Sequence, residues 1–267
     1  MPPQPNVLLV GCGKMGGALL RRWQELNLYK EICVVEPAPI NVLSARQVPD
    51  FAHIPATFKP GVIVFAVKPQ VLPDVAKLYK GFASKGTLVL SIAAGKPIGF
   101  FEKALGKTAR VVRAMPNTPA AIGEGITVAC ANRNVSKPQK AQAGLLLGSV
   151  GEVLWVDSEK LLNPVTALSG SGPAYVFLLI EALTEAGKKI GLDAKMAEKL
   201  ARQTVIGSAA LAKEEASVSP AKLRENVTSP GGTTAAALEV LMAANGIQPL
   251  FDKALLAATK RAEELSK

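Results

Sequence analysis

Short apolar runs alternate with helical segments along the chain up to Lys160. Such runs are typical of buried strands in a parallel sheet, and alternation with helices indicates right-handed βαβ units. A doubly wound α/β sheet is therefore predicted for this part, with a first helix over Met15–Leu26. Strands are predicted at Asn6–Val10, Ile32–Val35, Val62–Val67, Thr87–Ile92 and Ala109–Ala114, and weaker ones near Gly125–Ala129 and Glu152–Val156.

After Lys160 the apolar positions recur at helical spacing and strand signals largely disappear. An all-helical domain is therefore predicted for residues 161–267, following the α/β domain of residues 1–160. Its helices are expected over Pro173–Ile190, Ala194–Lys213, Thr233–Ala244 and Gln248–Leu265.

A glycine-rich turn follows the first strand directly. Its sequence, GCGKMG, comprises Gly11, Cys12, Gly13, Lys14, Met15 and Gly16. Glycines at this spacing permit a tight turn, close approach to a pyrophosphate and close packing of helix on strand. The amide groups of the helix N-terminus attract phosphate. We therefore predict a Rossmann-type site for NAD(P)H in residues 1–160.

Glu36 lies at the end of the second strand, 20 positions after Gly16. A carboxylate there accepts hydrogen bonds from both ribose hydroxyls of NADH and repels the 2′-phosphate of NADPH. The alternative is a solvated glutamate at a strand end. No arginine follows immediately, since the next is Arg46. The sequence thus favours NADH.

Composition and charge narrow the class of protein. Hydrophobic residues make up 49% and charged residues 19%, which is typical of a globular protein. Of the net charge of +10, nine units lie before Leu161. The basic residues are spaced singly and not interleaved with aromatic residues, so a solvated surface is favoured and no nucleic-acid partner is predicted.

Two further observations concern location. The cysteines Cys12, Cys33 and Cys130 are scattered, which indicates neither disulfides nor a metal site and fits a reducing cytoplasm. The most apolar run, Ala174–Ile180, is cut short by Glu181, so no membrane span is predicted.

Four more motifs fall where strands and helices end: AVKPQ from Ala66, MPNTPA from Met115, LSGSGPAY from Leu168 and TSPGGTT from Thr228. With GCGKMG, this set resembles the pyrroline-5-carboxylate reductases, over essentially the whole chain from Val7. The resemblance implies reduction of L-1-pyrroline-5-carboxylate to L-proline with NAD(P)H, the last step of proline biosynthesis. It also implies a homodimer, or a ring of dimers, formed by interlocked helices of residues 161–267.

The resemblance further implies residue roles. Residues after the predicted strands line the cofactor cleft, and Glu159 and Asn226 fall at positions that the family associates with the cofactor and active-site region. The implied cofactor set beyond the glycine turn and Glu36 is Ala66, Val67, Lys68, Pro69, Ile92, Ala93, Ala94 and Asn226.

The loop before the helix predicted at Thr233 suits a small carboxylate. Glycines without a Cβ atom and threonine hydroxyls at a helix start form an anion-binding nest. A capping motif alone is the alternative, although two consecutive glycines are costly for capping. The predicted substrate-binding residues are Ser229, Gly231, Gly232, Thr233 and Thr234, and the resemblance places the Thr234 hydroxyl near the ring nitrogen.

Two other classes of protein share parts of this pattern. A β-hydroxyacid dehydrogenase would carry a catalytic lysine on the helix after its glycine-rich segment. This chain has Tyr175, Val176 and Phe177 there and no lysine before Lys188, which disfavours that class. A non-catalytic dinucleotide- or nucleic-acid-binding Rossmann protein is suggested only by the basic first part of the chain.

Overall fold

The computed structural model describes residues 4–40 and 45–266. Within these residues eight strands form a single sheet in the order β3-β2-β1-β4-β5-β6-β7-β8. The strands are β1 Asn6–Val10, β2 Glu31–Val35, β3 Arg46–Val48, β4 Val62–Phe65, β5 Leu88–Ser91, β6 Arg110–Met115, β7 Gly125–Ala131 and β8 Gly151–Trp155.

The six strands from β3 to β6 are parallel, as predicted, but β7 is antiparallel to β6, with Ala114 opposite Ala129. β8 pairs parallel to β7 and forms the edge of the sheet. The predicted doubly wound parallel sheet is therefore confirmed for these six strands, and the pair β7–β8 runs in the opposite direction at one edge. The connection from β6 to β7 contains only a short 3₁₀ turn, Thr118–Ile122, and short links suit antiparallel neighbours.

Helices cover the sheet and make up nearly all of the chain after β8. In the first part they are α1 Lys14–Glu25, α2 Leu72–Val75, α3 Lys80–Ala83, α4 Ile98–Leu105 and α5 Lys137–Gly148. The later ones are α6 Leu162–Val165, α7 Gly172–Lys189, α8 Ala194–Glu214, α9 Pro220–Asn226, α10 Thr233–Leu241 and α11 Ile247–Leu265.

The sheet has a buried core on each face, which explains its near-continuous apolar strands. Leu8 and Phe65 belong to one core, and Val7 and Leu9 belong to the other, as the alternation of side chains along a strand requires. Trp23 of α1 is fully buried and donates a hydrogen bond from Nε1 to the Leu146 carbonyl of α5, at 2.8 Å. The two central helices on this face are thereby joined.

The chain divides into two compact units. One runs to Ser171 and also takes in the chain from Ala258 onward, and the other is Gly172–Ala257. This division lies later than the predicted boundary at Lys160, because the helical segment after β8 packs against the sheet. Leu162 and Ala167 of that segment are both buried.

The second unit has few buried side chains. Only Ala197 and Ala201 are buried within residues 172–257, all of which the structure describes. The tight contact of α7 with α8 requires small residues, since a Cβ atom on Gly187 would lie 3.2 Å from the Ala197 Cβ atom. Large apolar side chains such as Phe177 and Leu178 are about 60% exposed in the single chain.

One helical run, Glu159–Lys189, is long and apolar enough to cross a membrane by length and composition alone. The sequence-based interpretation ended the apolar run at Glu181, and the absence of a membrane span stays a prediction. The structure continues the helix through Glu181 to Lys189, and only 6% of its apolar window is buried. The α7 part of the run thus exposes an apolar surface in the single chain, whereas Leu162 and Ala167 before it are buried.

Candidate active site

The turn from β1 into α1 has the geometry that the glycine motif predicts. Gly11 has a φ of +89°, and a Cβ atom there would lie 2.7 Å from Val67 Cγ1. A Cβ atom on Gly16 would lie 2.6 Å from the Gly11 carbonyl oxygen, so this glycine permits close packing of helix on strand. A Cβ atom on Gly13 would meet nothing within 4 Å. The middle glycine therefore faces open space, as a turn that admits a pyrophosphate requires.

The N-terminus of α1 opens onto the same space. Gly13 is the N-cap, so no side chain caps the first turn, and that turn contains no acidic residue. The first amide groups of a helix have no partner within it, and they carry the positive end of the helix dipole. The residues of this turn therefore fit a diphosphate group.

Glu36 lies beside this turn rather than extending into solvent. Its Oε2 atom accepts a hydrogen bond from the Cys12 amide at 2.9 Å, and Oε1 accepts one from the Ala38 amide at 3.1 Å. Burial, together with the nearby Glu36 carboxylate, raises the pKa of the Cys12 thiol, which is therefore neutral at physiological pH. The carboxylate of Glu36 thus provides the negative charge at this end of the turn.

The segments after β4 and β5 meet the glycine turn at the carboxyl edge of the sheet, where α/β folds bind ligands. The Ala66 amide donates to the Val10 carbonyl at 2.8 Å, and the Ile92 amide donates to the Phe65 carbonyl at 3.1 Å. Ile92 and Ala93 are buried, whereas Lys68 and Ala94 are exposed. Six of the predicted cofactor residues therefore share this edge with the turn, namely Ala66, Val67, Lys68, Ile92, Ala93 and Ala94.

A cavity of about 240 Å³ lies next to these segments in the same unit. Pro69 and Ala94 line it on one side, and Thr166 and Ser266 on another. Ligand pockets for drug-sized molecules span about 300–1,000 Å³, so this cavity suits a part of a dinucleotide rather than a whole one.

The predicted substrate loop turns at Gly231, which has a φ of +69°. The Gly232 amide donates to the Ser229 carbonyl at 3.0 Å, and Gly232 is the N-cap of α10. Gly232 has no side chain that could cap the helix, and the first turn contains no acidic residue that could do so. Thr233 is thus the first helical residue and not the N-cap that the capping alternative requires. Thr234 follows it and is half-buried.

The SGSG segment begins within a π-helical turn, Thr166–Gly170, which lies inside a longer helical run. The Ser171 amide donates to the Thr166 carbonyl at 2.8 Å, which closes the wide turn. A Cβ atom on Gly170 would lie 2.5 Å from Met115 Cε, so this glycine serves packing. Asn117 connects the neighbouring elements, since its Oδ1 accepts from the Ile126 amide at 2.9 Å and its Nδ2 donates to Ser169 Oγ at 3.4 Å.

A buried ion pair in the first unit was not predicted. Arg113 NH1 lies 2.8 Å from Glu159 Oε1, and the Arg113 side chain is only 6% exposed. The same carboxylate oxygen accepts from the Ile98 amide at the start of α4, at 2.8 Å. Glu159 therefore joins three elements. The available signal was Arg113 in the middle of β6, where the neighbouring interior residues are apolar.

The remaining candidates are Asn226 and His53. Asn226 is the exposed last residue of α9. His53 is exposed, and its Nδ1 lies 2.7 Å from Asp50 Oδ1, which fits a surface histidine. Among the residues that the structure describes, no group of three or more His, Cys, Asp or Glu side chains is placed to hold a metal ion.

Comparison with known proteins identifies the family. A family model described as pyrroline-5-carboxylate reductase dimerisation matches residues 159–265, and one described as NADP oxidoreductase, coenzyme F420-dependent, matches residues 6–95. A pyrroline-5-carboxylate reductase of Pseudomonas aeruginosa is 46% identical over 205 residues, which are 77% of this chain and 74% of that protein. The chain belongs to the pyrroline-5-carboxylate reductase family.

Solved structures agree. A pyrroline-5-carboxylate reductase from Coxiella burnetii has a TM-score of 0.91 at 40% identity, covering 99% of this chain and all of that one. Plasmodium falciparum pyrroline carboxylate reductase with NADP bound has a TM-score of 0.83 at 31% identity, covering 98% of each chain. The predicted fold class and the predicted NAD(P)H-dependent oxidoreductase are thus confirmed. Family membership excludes a β-hydroxyacid dehydrogenase and a non-catalytic Rossmann protein.

Proposed function

We propose that the chain reduces L-1-pyrroline-5-carboxylate to L-proline, with NADH as its preferred electron donor, as the last step of proline biosynthesis. The position of Glu36 carries the cofactor preference. Its carboxylate lies on the Cys12 amide of the glycine turn, where a 2′-phosphate would meet a negative charge and where a ribose would find an acceptor.

Residues 1–160 provide most of the dinucleotide-binding residues. The amides of the turn Gly11–Gly16 hold the diphosphate and Glu36 accepts from the adenosine ribose. Ala66–Pro69 and Ile92–Ala94 line the nicotinamide half, and Asn226 contributes from α9. When bound, NAD(P)H supplies the hydride, so the protein chiefly has to orient the two reactants.

The substrate carboxylate binds the nest of residues 229–234. The positive φ of Gly231 and the uncapped first turn of α10 leave amide groups for an anion. The Thr234 hydroxyl accepts a hydrogen bond from the protonated ring nitrogen and so orients the imine. A protonated imine is already electrophilic, and little acid catalysis is required of the protein.

The active form is a homodimer, or a ring of dimers, in the cytoplasm. The apolar faces of residues 161–267 support this proposal, because Phe177, Leu178 and Val240 are 60% or more exposed in one chain. Exposed apolar surface of this extent marks a protein interface. A second copy of the same helices covers it with the symmetry of a closed dimer.

The cofactor assignment is tested by measuring kcat/KM for the imine with NADH and with NADPH. We expect the wild-type enzyme to favour NADH. Glu36→Ser should lower kcat/KM with NADH by about 10–100-fold, as expected for a lost charge-assisted hydrogen bond, and should raise it with NADPH. Glu31→Ser changes an exposed glutamate at the other end of β2 and serves as the matched control. A wild-type enzyme with a strong preference for NADPH would contradict the assignment.

A further inference from the structure

Gln47 fixes the backbone of the loop that follows β2. It lies in the short strand β3, and its carboxamide faces the segment Glu36–Ile40. Nε2 donates to the Glu36 carbonyl at 2.8 Å and to the Ala38 carbonyl at 2.7 Å, while Oε1 accepts from the Ile40 amide at 3.2 Å. Both hydrogens of the amide and its oxygen are therefore used on one loop.

Few other hydrogen bonds among the described residues define the path of residues 36–40. Pro37 and Pro39 supply no amide donors, and both are exposed. Glu36 itself is held at its backbone, where its amide donates to the Val48 carbonyl at 3.0 Å. After Glu36, hydrogen bonds from the Gln47 side chain to the loop backbone take the place of hydrogen bonds between strands. The Ala38 amide, which Gln47 helps to place, is in turn a donor to the Glu36 carboxylate.

We propose that Gln47 is a positioning residue for dinucleotide binding, because its carboxamide holds residues 36–40 so that the Glu36 carboxylate stays at the adenosine-ribose end of the glycine turn. This inference rests on the ribose-binding role proposed for Glu36. It adds a residue that acts through Glu36 and makes no contact with the reacting atoms. A purely structural role for Gln47 would stabilise the edge of the sheet without affecting the cofactor.

The test compares Gln47→Met with Gln47→Glu. Methionine has a similar shape and removes all three hydrogen bonds, whereas glutamate keeps an acceptor but loses both donors. The dissociation constant of NADH is measured by its fluorescence, and inhibition constants are measured for ADP-ribose and nicotinamide mononucleotide. Gln139→Met is the matched control, because Gln139 caps α5 and donates to the Gly86 carbonyl away from the glycine turn.

We expect both Gln47 variants to raise the NADH dissociation constant and the ADP-ribose inhibition constant in parallel, by about 5–20-fold. The constant for nicotinamide mononucleotide and kcat at saturating NADH should not change. In the Glu36→Ser background, Gln47→Met should have no further effect, since it acts through Glu36. Gln139→Met should lower the melting temperature without changing NADH binding.

Three results would overturn the proposal. They are unchanged NADH binding in both Gln47 variants, an equal loss of nicotinamide mononucleotide affinity, or full additivity with Glu36→Ser. The proposed preference for NADH can fail independently of the proposed role of Gln47, because the preference is tested on the wild-type enzyme alone. A wild-type enzyme that prefers NADPH overturns that preference, while the ratio of variant to wild type for ADP-ribose still decides the role of Gln47.

Discussion

Thr234 is the second residue of α10, which begins directly after the glycine pair, and its side chain is half-buried. If its hydroxyl accepts from the ring nitrogen, Thr234→Ala should lower kcat/KM for the imine by about 10–100-fold, as expected for a hydrogen bond that strengthens in the transition state. The dissociation constant of NADH should not change. Steady-state kinetics, NADH fluorescence and melting temperature on one preparation provide the measurement.

Two further variants distinguish a role of Thr234 in substrate binding from a role in stabilising the start of α10. Thr234→Ser keeps the hydroxyl and should retain most of the activity. Thr228→Ala removes a hydroxyl that donates to the Arg224 carbonyl at 2.7 Å, and it should affect stability only. A Thr234→Ala enzyme with normal kcat/KM and a lowered melting temperature would assign this residue to the helix start and not to the substrate.

At the scale of single residues, the sequence predicted those residues whose role follows from residue type and local context alone. Gly11, Gly13 and Gly16 are such residues, because each role follows from the absence of a Cβ atom. Gln47 was not predicted, since its role depends on a strand that pairs beside β2. Glu159 was placed near the cofactor by resemblance, but its pairing with Arg113 requires knowledge of how β6 faces the later helix. Long-range pairing of side chains leaves no periodic signal.

At the scale of secondary-structure elements, substitutions in the turn between β1 and α1 distinguish a glycine that cofactor binding requires from one that the fold requires. A Cβ atom on Gly13 meets nothing, whereas one on Gly16 would lie 2.6 Å from a backbone oxygen. Gly13→Ala should therefore leave the melting temperature close to that of the wild type and weaken NADH binding by about tenfold or more, because the methyl group occupies the phosphate space. Gly16→Ala should lower the melting temperature as well.

Thermal melting and NADH titration of both variants provide the check. If Gly13→Ala binds NADH like the wild type, the diphosphate does not approach this turn. The two alanine variants serve as controls for each other, because they add the same methyl group three residues apart.

The other elements show what periodicity reveals. The apolar strands and the long helices were predicted with ends close to those observed, as for β1 and α8. β3 was missed because its three residues include exposed Arg46 and Gln47. The π-helical turn Thr166–Gly170 was missed because its glycine-rich sequence also fits a loop. The reversed direction of β7 is a property of pairing, which the strand's own sequence does not encode.

For the whole molecule, the uncovered apolar helices predict self-association. Leu178→Glu places a charge on the face of α7 where the leucine is 61% exposed in one chain. We expect the wild type to be at least dimeric by light scattering at micromolar concentration, and this variant to shift to the monomer with reduced activity. Leu154→Glu changes a leucine of β8 that is 51% exposed and should remain associated. A fully active wild-type monomer would contradict the assignment of this surface.

The helical run Glu159–Lys189 also has a consequence for a newly synthesised chain. Each copy contains a helical run that is as long and apolar as a membrane span, and the α7 part of it exposes apolar side chains such as Phe177 and Leu178. In the proposed dimer this surface is hidden only after two chains meet, so the appearance of activity after synthesis or refolding should be second order in chain concentration.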